Sequence, residues 1–353
     1  MGSVLGRILT VTTFGESHGP GLGVVVDGVP AGLALGREEI QADLDRRRPG
    51  TSTYVSPRGE PDQAEIVSGV AQGKTLGSPI ALLIRNQDAR SQDYAALSNL
   101  FRPGQADFTY FAKYGLSPQP GGGRASGRET VGRVAAGAVA RKLLAGEGVR
   151  VLSHTLAVGK VRAEKVVPGF AETDPLRCPD PDRAKEMAAQ VDRVRAAGDS
   201  IGGVVEVRAE GVPAGWGEPV FDKLDASLAG ALFSIGAVKG VEFGHGFSLS
   251  QRRGSEANDQ MAGDGFLTNR AGGILGGIST GEPILARLAV KPTPSVSLPQ
   301  RTVNLEGREE SLEIHGRHDP CLCPRLGPVA EAMVCLVLAE AMLIHLSRYG
   351  RRR

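Results

Sequence analysis

Short apolar runs, separated by glycines and polar residues, fill the beginning of the chain. These runs predict strands over residues 8–13, 22–27, 64–70 and 78–85. Residues 37–48 combine spaced apolar positions with charged ones and are followed by Pro49 and Gly50, which predicts a helix that ends there. The pattern therefore begins with a group of strands interrupted by one helix.

The clearest helical signal lies further along the sequence. Apolar residues between 131 and 139 recur three and four positions apart, as on one face of a helix. Ser126 and Glu129 have the S-x-x-E spacing of a capping box, in which each side chain accepts a hydrogen bond from the other residue's backbone N–H. We therefore predict a helix over residues 126–145.

The rest of the chain adds further strands and helices. Strands are predicted over residues 151–161, 203–209 and 284–290, and helices over residues 181–197, 222–235 and 328–348. Residues 86–123 show no periodicity, which is typical of a segment that carries function. Because the strands come in groups rather than in β-α-β units, we expect an α+β fold.

Neither a linker nor an internal repeat divides the sequence. We therefore predict a single domain over residues 1–353, in which residues 347–353 form a flexible basic tail. The apolar segment 328–348 contains Glu331 and Glu340. Each carboxylate would cost about 3 kcal/mol at bilayer depth. We therefore expect a buried helix and no membrane contact.

Composition narrows the class of protein. Of 353 residues, 41% are hydrophobic and 23% are charged, as in globular proteins, and the net charge of +2 disfavours binding to nucleic acid by bulk charge. Four cysteines are too few for a disulfide scaffold and favour the reducing cytoplasm.

Arginine makes up 32 of the 41 basic residues. Guanidinium groups bind phosphate and carboxylate, so a small polyanionic ligand is one explanation; genomic base composition or thermal adaptation is another.

Three short motifs match known functional patterns but lack the context that those patterns need. Residues 15–19 read G-x-S-x-G, yet Pro20 and nearby glycines follow where a nucleophile elbow requires a helix. Residues 73–75 resemble the end of a P-loop, but the first glycine of that motif is missing. Cys321 and Cys323 are too close together for a zinc knuckle and have no second pair, so we expect no metal site.

Four segments remain as candidates for binding an anion or moving a proton. Glycines and two arginines at residues 121–129 begin the clearest helix, whose free N–H groups favour a negative charge. Arginines 46–48 end a helix, and residues 291–295 form a stiff polar loop. Residues 316–321 bring together an arginine, a histidine and an aspartate, a set suited to proton transfer. Each of three segments also has a purely structural explanation. Residues 121–129 could be a capped helix with surface arginines, arginines 46–48 could complement the helix dipole, and residues 316–321 could form a structural ion pair.

Longer segments, taken together, resemble the chorismate synthase family. They are GESHG and VDGVP near the N-terminus, DRRRPGTS at 45–52, GRASGRET at 123–130, RGSEAND at 253–259, GGILGGI at 272–278 and GRHDPC at 316–321. They occur in order from about residue 7 to residue 345. The resemblance therefore covers nearly the whole chain.

The resemblance implies a lyase that converts 5-enolpyruvylshikimate 3-phosphate to chorismate and phosphate, in the shikimate pathway of aromatic amino-acid biosynthesis. The reaction is a 1,4-anti elimination that has no net redox change yet requires reduced FMN. The family fold is a β-α-β sandwich in which antiparallel sheets enclose helices, and the family assembles as a homotetramer. NADPH and an external flavin reductase are candidate sources of the reducing electrons.

The resemblance also assigns roles to individual residues. His18 matches the histidine expected to protonate the leaving phosphate, and Asp319 matches the acid expected to act with the flavin N5 in removing the C6 proton. Substrate contacts would come from Ser17, Arg46, Arg47, Arg102, Arg128 and Arg317. FMN contacts would come from Arg124, Ala125, Ser126, Gly236, Ala237, Gly276, Lys291, Pro292, Thr293, Pro294, Ser295 and Arg317.

Three positions depart from the family pattern. Gln105, a third catalytic candidate, stands where the family has a histidine assigned to a proton near the flavin, and an amide does not titrate. Thr53 stands where many members have an arginine that binds substrate or a nicotinamide nucleotide, and residues 117–120 replace a more charged stretch. These departures leave a catalytically weakened homologue that binds flavin and substrate as the alternative. The sequence has no nucleotide-binding fingerprint, which disfavours reduction of the flavin by this chain itself with NADPH.

Overall fold

Two five-stranded antiparallel sheets frame the computed structural model, which describes residues 2–88, 97–314, 316 and 318–350. The first part of the chain contains β1 (Val4–Leu5), β2 (Thr10–Gly15), β3 (Gly21–Asp27), β4 (Ala64–Ser68), β5 (Val70–Ala71), β6 (Lys74–Thr75) and β7 (Ile80–Arg85). The first sheet has the order β1-β2-β3-β7-β4, and β5 pairs with β6 in a small separate ladder. The helix α1 (Arg37–Arg47) lies between β3 and β4 in the chain.

The later strands build the second sheet and three short ladders. They are β8 (Arg150–Val158), β9 (Val161–Arg162), β10 (Gly203–Glu210), β11 (Val238–Phe243), β12 (Met261–Ala262), β13 (Gly265–Phe266), β14 (Ile274–Leu275), β15 (Ile278–Ser279), β16 (Ile284–Val290), β17 (Gln300–Val303) and β18 (Glu309–Leu312). The second sheet has the order β11-β16-β10-β8-β9. The remaining short strands pair as β12 with β13, β14 with β15, and β17 with β18.

Helices fill the space between the two sheets. The remaining helices are α2 (Asp107–Tyr114), α3 (Thr130–Ala145), α4 (Phe170–Thr173), α5 (Pro181–Ala196), α6 (Leu224–Phe233), α7 (Gly254–Ala257) and α8 (Cys323–Tyr349). The helix α3 packs on β3 in the first sheet, α8 packs on β8 and β10 in the second, and the two helices pack on each other. This β-α-β layering confirms the predicted α+β fold.

Two small residues allow the central layers to approach closely. A Cβ added to Gly132 of α3 would lie 3.1 Å from the carbonyl oxygen of Gly23, so the helix rests almost directly on β3. A Cβ added to Gly137 would lie only 2.3 Å from the Cβ of Ala332, where α3 crosses α8. Interiors of folded proteins are close-packed, so this contact fixes the distance between the two helices.

The structure corrects the prediction for the start of the central helix. Residues Gly127–Glu129 form a 3-10 turn, and the α-helix begins only at Thr130. Ser126 accepts a hydrogen bond from the backbone N–H of Arg128, but the Glu129 carboxylate pairs with Arg133 instead of reaching back to Ser126. The predicted capping box is therefore not formed.

The C-terminal helix is longer at both ends than predicted. It begins at Cys323 and includes residues 347–349, which were assigned to the basic tail. Two contacts stabilise its last turn: Arg348 pairs with Glu218 at 2.6 Å, and the Tyr349 ring packs against His345. This helix is long and apolar enough to cross a membrane, but 78% of its most apolar window is buried inside this chain.

Candidate functional site

A cavity of about 1500 Å³ lies where the first turns of α3 and α8 meet the surrounding loops. The turn between β2 and β3 contributes Ser17 and His18, and the last turn of α1 contributes Arg47. The glycine-rich 3-10 segment Pro120–Ala125 forms one wall, and Asp319 comes from the segment that precedes α8. Residues far apart in the sequence therefore share one chamber.

Most of the predicted site residues line this cavity. They are Ser17, His18, Arg47, Arg102, Gln105, Arg124, Ala125, Ser126, Arg128, Gly236, Ala237, Lys291, Thr293, Pro294, Ser295 and Asp319. Three do not line it: Arg46, Gly276 and Pro292. Gly276 sits in the turn between β14 and β15, and Pro292 is exposed. Arg317 lies outside the described residues.

The glycine-rich wall fits closely around His18. Gly121 has φ +63°, and a Cβ there would lie 2.1 Å from two atoms of the His18 imidazole. The Ser17 hydroxyl is buried and lies 3.2 Å from the Ser126 hydroxyl. Glycine is needed at 121 because it has no side chain to strike the ring and readily adopts positive φ.

Arg47 is the most deeply buried cation of the cavity, with 1% of its surface exposed. Its Nη2 lies 3.4 Å from the Asp62 carboxylate. Burial lowers the pKa of Arg47 to about 9 against the attraction of Asp62, and the neighbouring Arg325 and Arg128 lower it further. Its Nε and Nη2 have no hydrogen-bond acceptor among the residues that the structure describes. Both nitrogens are closed off from solvent, and Nη2 faces Asp62. Burying this charge is costly, so the guanidinium favours an anion in the cavity that it lines.

Arg128 is held by two buried acids beneath the cavity. Its Nη1 donates to Asp62, its Nε donates to Asn86 at 3.0 Å, and Glu60 lies 3.6 Å from its Nη2. That Nη2 also has no hydrogen-bond acceptor within the described ranges. The acids thus orient the guanidinium, whose Nη2 faces Glu60 just beyond hydrogen-bond distance.

Arg102 lies beside the glycine-rich wall. Its Nε and Nη2 form a bidentate pair with Asp107 at 2.7 and 2.8 Å, and its backbone N–H donates to the same carboxylate. A Cβ on Gly122 would lie 3.6 Å from Arg102 Nη2. Paired hydrogen bonds of this kind fix the plane of the guanidinium as well as its position.

Asp319 is buried and fully oriented. One carboxylate oxygen accepts from the backbone N–H of Ser56 at 2.8 Å, and the other accepts from Arg325 at 2.8 Å. Its neighbour His318 also lines the cavity. Burial lowers the pKa of His318, and Arg102 acts in the same direction against the attraction of Asp319. An imidazole in this position is neutral near pH 7.

Gln105 and the loop after β16 form the adjoining wall. The Gln105 amide donates to the Ser295 hydroxyl at 3.1 Å, and the Lys291 ammonium donates to the carbonyl of Gly104 at 2.7 Å. Burial lowers the pKa of Lys291, and nearby Lys239 adds to the effect. These two bonds connect the segment before α2 to the loop at 291–295.

Arg124 lines the cavity but is engaged with the first sheet. It donates to the Thr13 hydroxyl at 2.7 Å and to the carbonyl of Gly15 at 3.2 Å. The hydrogen bonds attach the glycine-rich wall to β2. Arg124 therefore positions this wall in addition to presenting positive charge.

Sequence reasoning missed three arginines and two acids of the site. Arg58, Arg133 and Arg325 line the cavity, and Glu60 and Asp62 anchor its arginines. Glu60 and Asp62 lie in a polar stretch without periodicity, so nothing in the pattern marks them as buried. The available signal was the pair of carboxylates separated by one residue, because a chain so rich in arginine needs buried acids to pair with it.

Arg46 was predicted to contact substrate, but its guanidinium does not line the cavity and instead pairs with a buried acid. Its Nη1 and Nη2 bind the Glu331 carboxylate at 2.6 and 2.8 Å. Glu331 is fully buried and also accepts from Arg141 and from the Ser153 hydroxyl. Burial alone would raise the pKa of Glu331, but the hydrogen bonds and charges of Arg46 and Arg141 hold it below its usual range. Arg46 is thus committed to a buried ion network.

Comparisons with known proteins agree along nearly the full length. The family model described as chorismate synthase matches residues 9–343. A protein named chorismate synthase from Syntrophobacter fumaroxidans is 57% identical over 342 residues, which cover 97% of each chain. One from Methanocella arvoryzae is 55% identical, covering 97% of this chain and 94% of the relative. A solved structure titled "Crystal Structure of Chorismate Synthase" is 36% identical and superposes with a TM-score of 0.77, covering 97% of this chain and 93% of that one.

Proposed function

We propose roles for individual residues on the premise that this chain belongs to the chorismate synthase family. It is a lyase of aromatic biosynthesis that converts 5-enolpyruvylshikimate 3-phosphate to chorismate and phosphate. In this reaction the C6–H bond and the bond from the ring to the phosphate oxygen break, and the ring gains a double bond. The enzyme must therefore hold a polyanion, accept one proton and donate another.

Arg47, Arg102 and Arg128 bind the anionic groups of the substrate. All three line the cavity, and the buried positive charge of Arg47 and Arg128 supports this role, because a phosphate or carboxylate would pair with it. Ser17 and Arg58 complete the same side of the cavity. Arg46 is left out of the binding set because Glu331 occupies its guanidinium.

His18 donates a proton to the departing phosphate, and Asp319 accepts the proton from C6. An imidazole changes charge near neutral pH, which suits a general acid at this step. The carboxylate of Asp319 lies in the same cavity, and Ser56 and Arg325 fix its direction. Oriented acid and base groups typically contribute about 10²-fold to 10⁴-fold to a rate.

The cavity also fits reduced FMN beside the substrate. Pockets for one small molecule measure about 300–1,000 Å³, so about 1500 Å³ leaves room for two. A Cβ on Gly236 would meet open space, and Lys291, Arg124 and Ser295 offer polar groups for a phosphate and a ring edge. Bound reduced FMN would supply an electron-rich ring that stabilises positive charge developing on the substrate.

Further features follow the family and remain part of this proposal. We expect a homotetramer in the cytoplasm that receives its reduced flavin from an external reductase, with NADPH as the ultimate donor. The Gln105 amide takes the place of a titrating group near the flavin, because it lies within hydrogen-bond distance of the loop at 291–295.

One observation carries the proposal: His18, Asp319 and the buried guanidinium of Arg47 line a single cavity. The test is an anaerobic assay with photoreduced FMN and 5-enolpyruvylshikimate 3-phosphate. Chorismate absorbance and released phosphate should appear in equal amounts, and oxidised FMN should give neither. The assigned roles of His18 and Asp319 would be overturned if His18→Ala and Asp319→Asn each retained the full rate.

A further inference from the structure

A second, smaller cavity adjoins the first at Asp319. It measures about 740 Å³, and Ser295, His318 and Asp319 line both cavities. Its other end is lined by Thr53, Arg195, Asp199 and Ser297, all of which are exposed. The smaller cavity thus runs from a buried carboxylate to the protein surface.

The proposed chemistry creates a need for such a path. Each turnover transfers the C6 proton to Asp319, while His18 loses a proton to the phosphate. Before the next turnover one proton must leave Asp319 and one must reach His18. Bound substrate and flavin would displace water from the larger cavity, which leaves the smaller cavity as the route from Asp319 to solvent.

We propose that the proton taken up by Asp319 leaves through the smaller cavity, with His318 as its first acceptor. This inference rests on the proposed role of Asp319. In this transfer the O–H bond of the Asp319 carboxyl breaks and an N–H bond forms on His318. His318 then passes the proton to water in the smaller cavity. Nothing is oxidised or reduced.

Three observations support His318 in this step. It is adjacent to Asp319 in the chain and is one of only three described residues that line both cavities. Burial and the charge of Arg102 lower its pKa against the attraction of Asp319, so the imidazole begins each cycle as a neutral base. The hydroxyls and the exposed carboxylate along the smaller cavity, among them Ser52, Thr53 and Asp199, can carry a chain of waters outward.

The test blocks the outer end of this path without touching the larger cavity. Ser297→Trp places a bulky ring in the smaller cavity, and Ser255→Trp is the control at an exposed serine outside both. Rapid mixing with reduced FMN is run with enzyme in excess and then with substrate in excess. We expect an unchanged first turnover and a later rate reduced roughly 10-fold to 100-fold in Ser297→Trp only, visible as a burst of one chorismate per site.

A second variant tests the route without adding a bulky side chain to the smaller cavity. His318→Ala should also give a burst, and added imidazole should restore the later turnovers but not alter the first. Equal rates in Ser297→Trp and Ser255→Trp, or equal slowing of first and later turnovers, would overturn the route. If instead the proposed lyase function were wrong, the result would be distinguishable, because the wild-type protein would form no chorismate even in the first turnover.

Discussion

Arg46 and Glu331 join the last turn of α1 to the middle of α8 by a bidentate ion pair, with N–O distances of 2.6 and 2.8 Å. The next residue, Arg47, lines the cavity. The ion pair therefore fixes the helix end that presents Arg47 to the cavity.

Glu331→Gln should strongly destabilise the protein. The change leaves the guanidiniums of Arg46 and Arg141 beside a neutral amide, and removing one partner of a buried pair costs about 3–5 kcal/mol. Urea unfolding measures the loss. Glu340→Gln on the same helix is the control, because the Glu340 carboxylate accepts, among the described residues, hydrogen bonds from the backbone N–H groups of Arg7, Ile8 and Leu9. Similar losses in both variants would contradict the importance of the buried network.

Gly121→Ala should reduce kcat by roughly 100-fold, the scale of a displaced general acid. The added Cβ would meet the His18 ring at 2.1 Å and force it away. Gly115→Ala is matched for backbone strain, since Gly115 has φ +68° but nothing within 4 Å of an added Cβ. The steady-state rate should therefore fall only in the first variant. A comparable fall in Gly115→Ala would assign the effect to strain alone.

Arg47→Lys should raise KM for the substrate roughly 10-fold to 100-fold. Lysine keeps a charge but cannot supply the fixed, paired donors of a guanidinium, and a hydrogen bond to a charged group contributes about 1.5–3 kcal/mol. Arg48→Lys changes an exposed neighbour and should leave KM unchanged. Steady-state kinetics compare the two, and equal KM values would show that Arg47 does not bind the substrate.

Gln105→His separates the active enzyme from the weakened alternative. Gln105 already bonds Ser295, so we expect less than a roughly 10-fold change in kcat. The single-turnover rate under anaerobic conditions is the measurement. A gain of about 100-fold would instead favour a chain whose chemistry is impaired at this position.

The cysteines should resist thiol reagents while the protein is folded. All four are buried, and burial raises the pKa of Cys178 to about 11 and that of Cys335 to about 12. The reactive thiolate of these two is therefore scarce at pH 8, and raising the pH toward 11 should increase labelling at Cys178 before Cys335. Titration with a disulfide reagent should detect almost no thiol before unfolding and all four afterwards. Rapid labelling of folded protein at pH 8 would contradict this.

The regular elements were predictable where their apolar positions repeat. The strand at Ile284–Val290 has the predicted bounds, and α1 and α5 end one residue earlier than predicted. The helix α2 was not predicted. Its aromatic residues Phe108 and Tyr114 are exposed, so its apolar positions do not mark a buried face with helical spacing.

Side-chain direction was harder to predict than secondary structure. Consecutive helical residues point about 100° apart, so Arg46 and Arg47 face different surroundings although they are neighbours in sequence. Only the position of Glu331, almost three hundred residues away, decides which of them faces the cavity. The acids Glu60 and Asp62 escaped prediction for the same reason, since Arg128, which both of them face, comes from a distant segment.

The contact between Gly137 and Ala332 has a consequence for the dimensions of the catalytic chamber. The helices that cross there carry Arg128 just before one N-terminus and Asp319 just before the other. A larger side chain at the crossing would push the two helices apart, and the proposed proton acceptor and anion-binding arginine lie next to their N-termini. The missing side chain at Gly137 thus helps to set the spacing of the two helix ends that border the cavity.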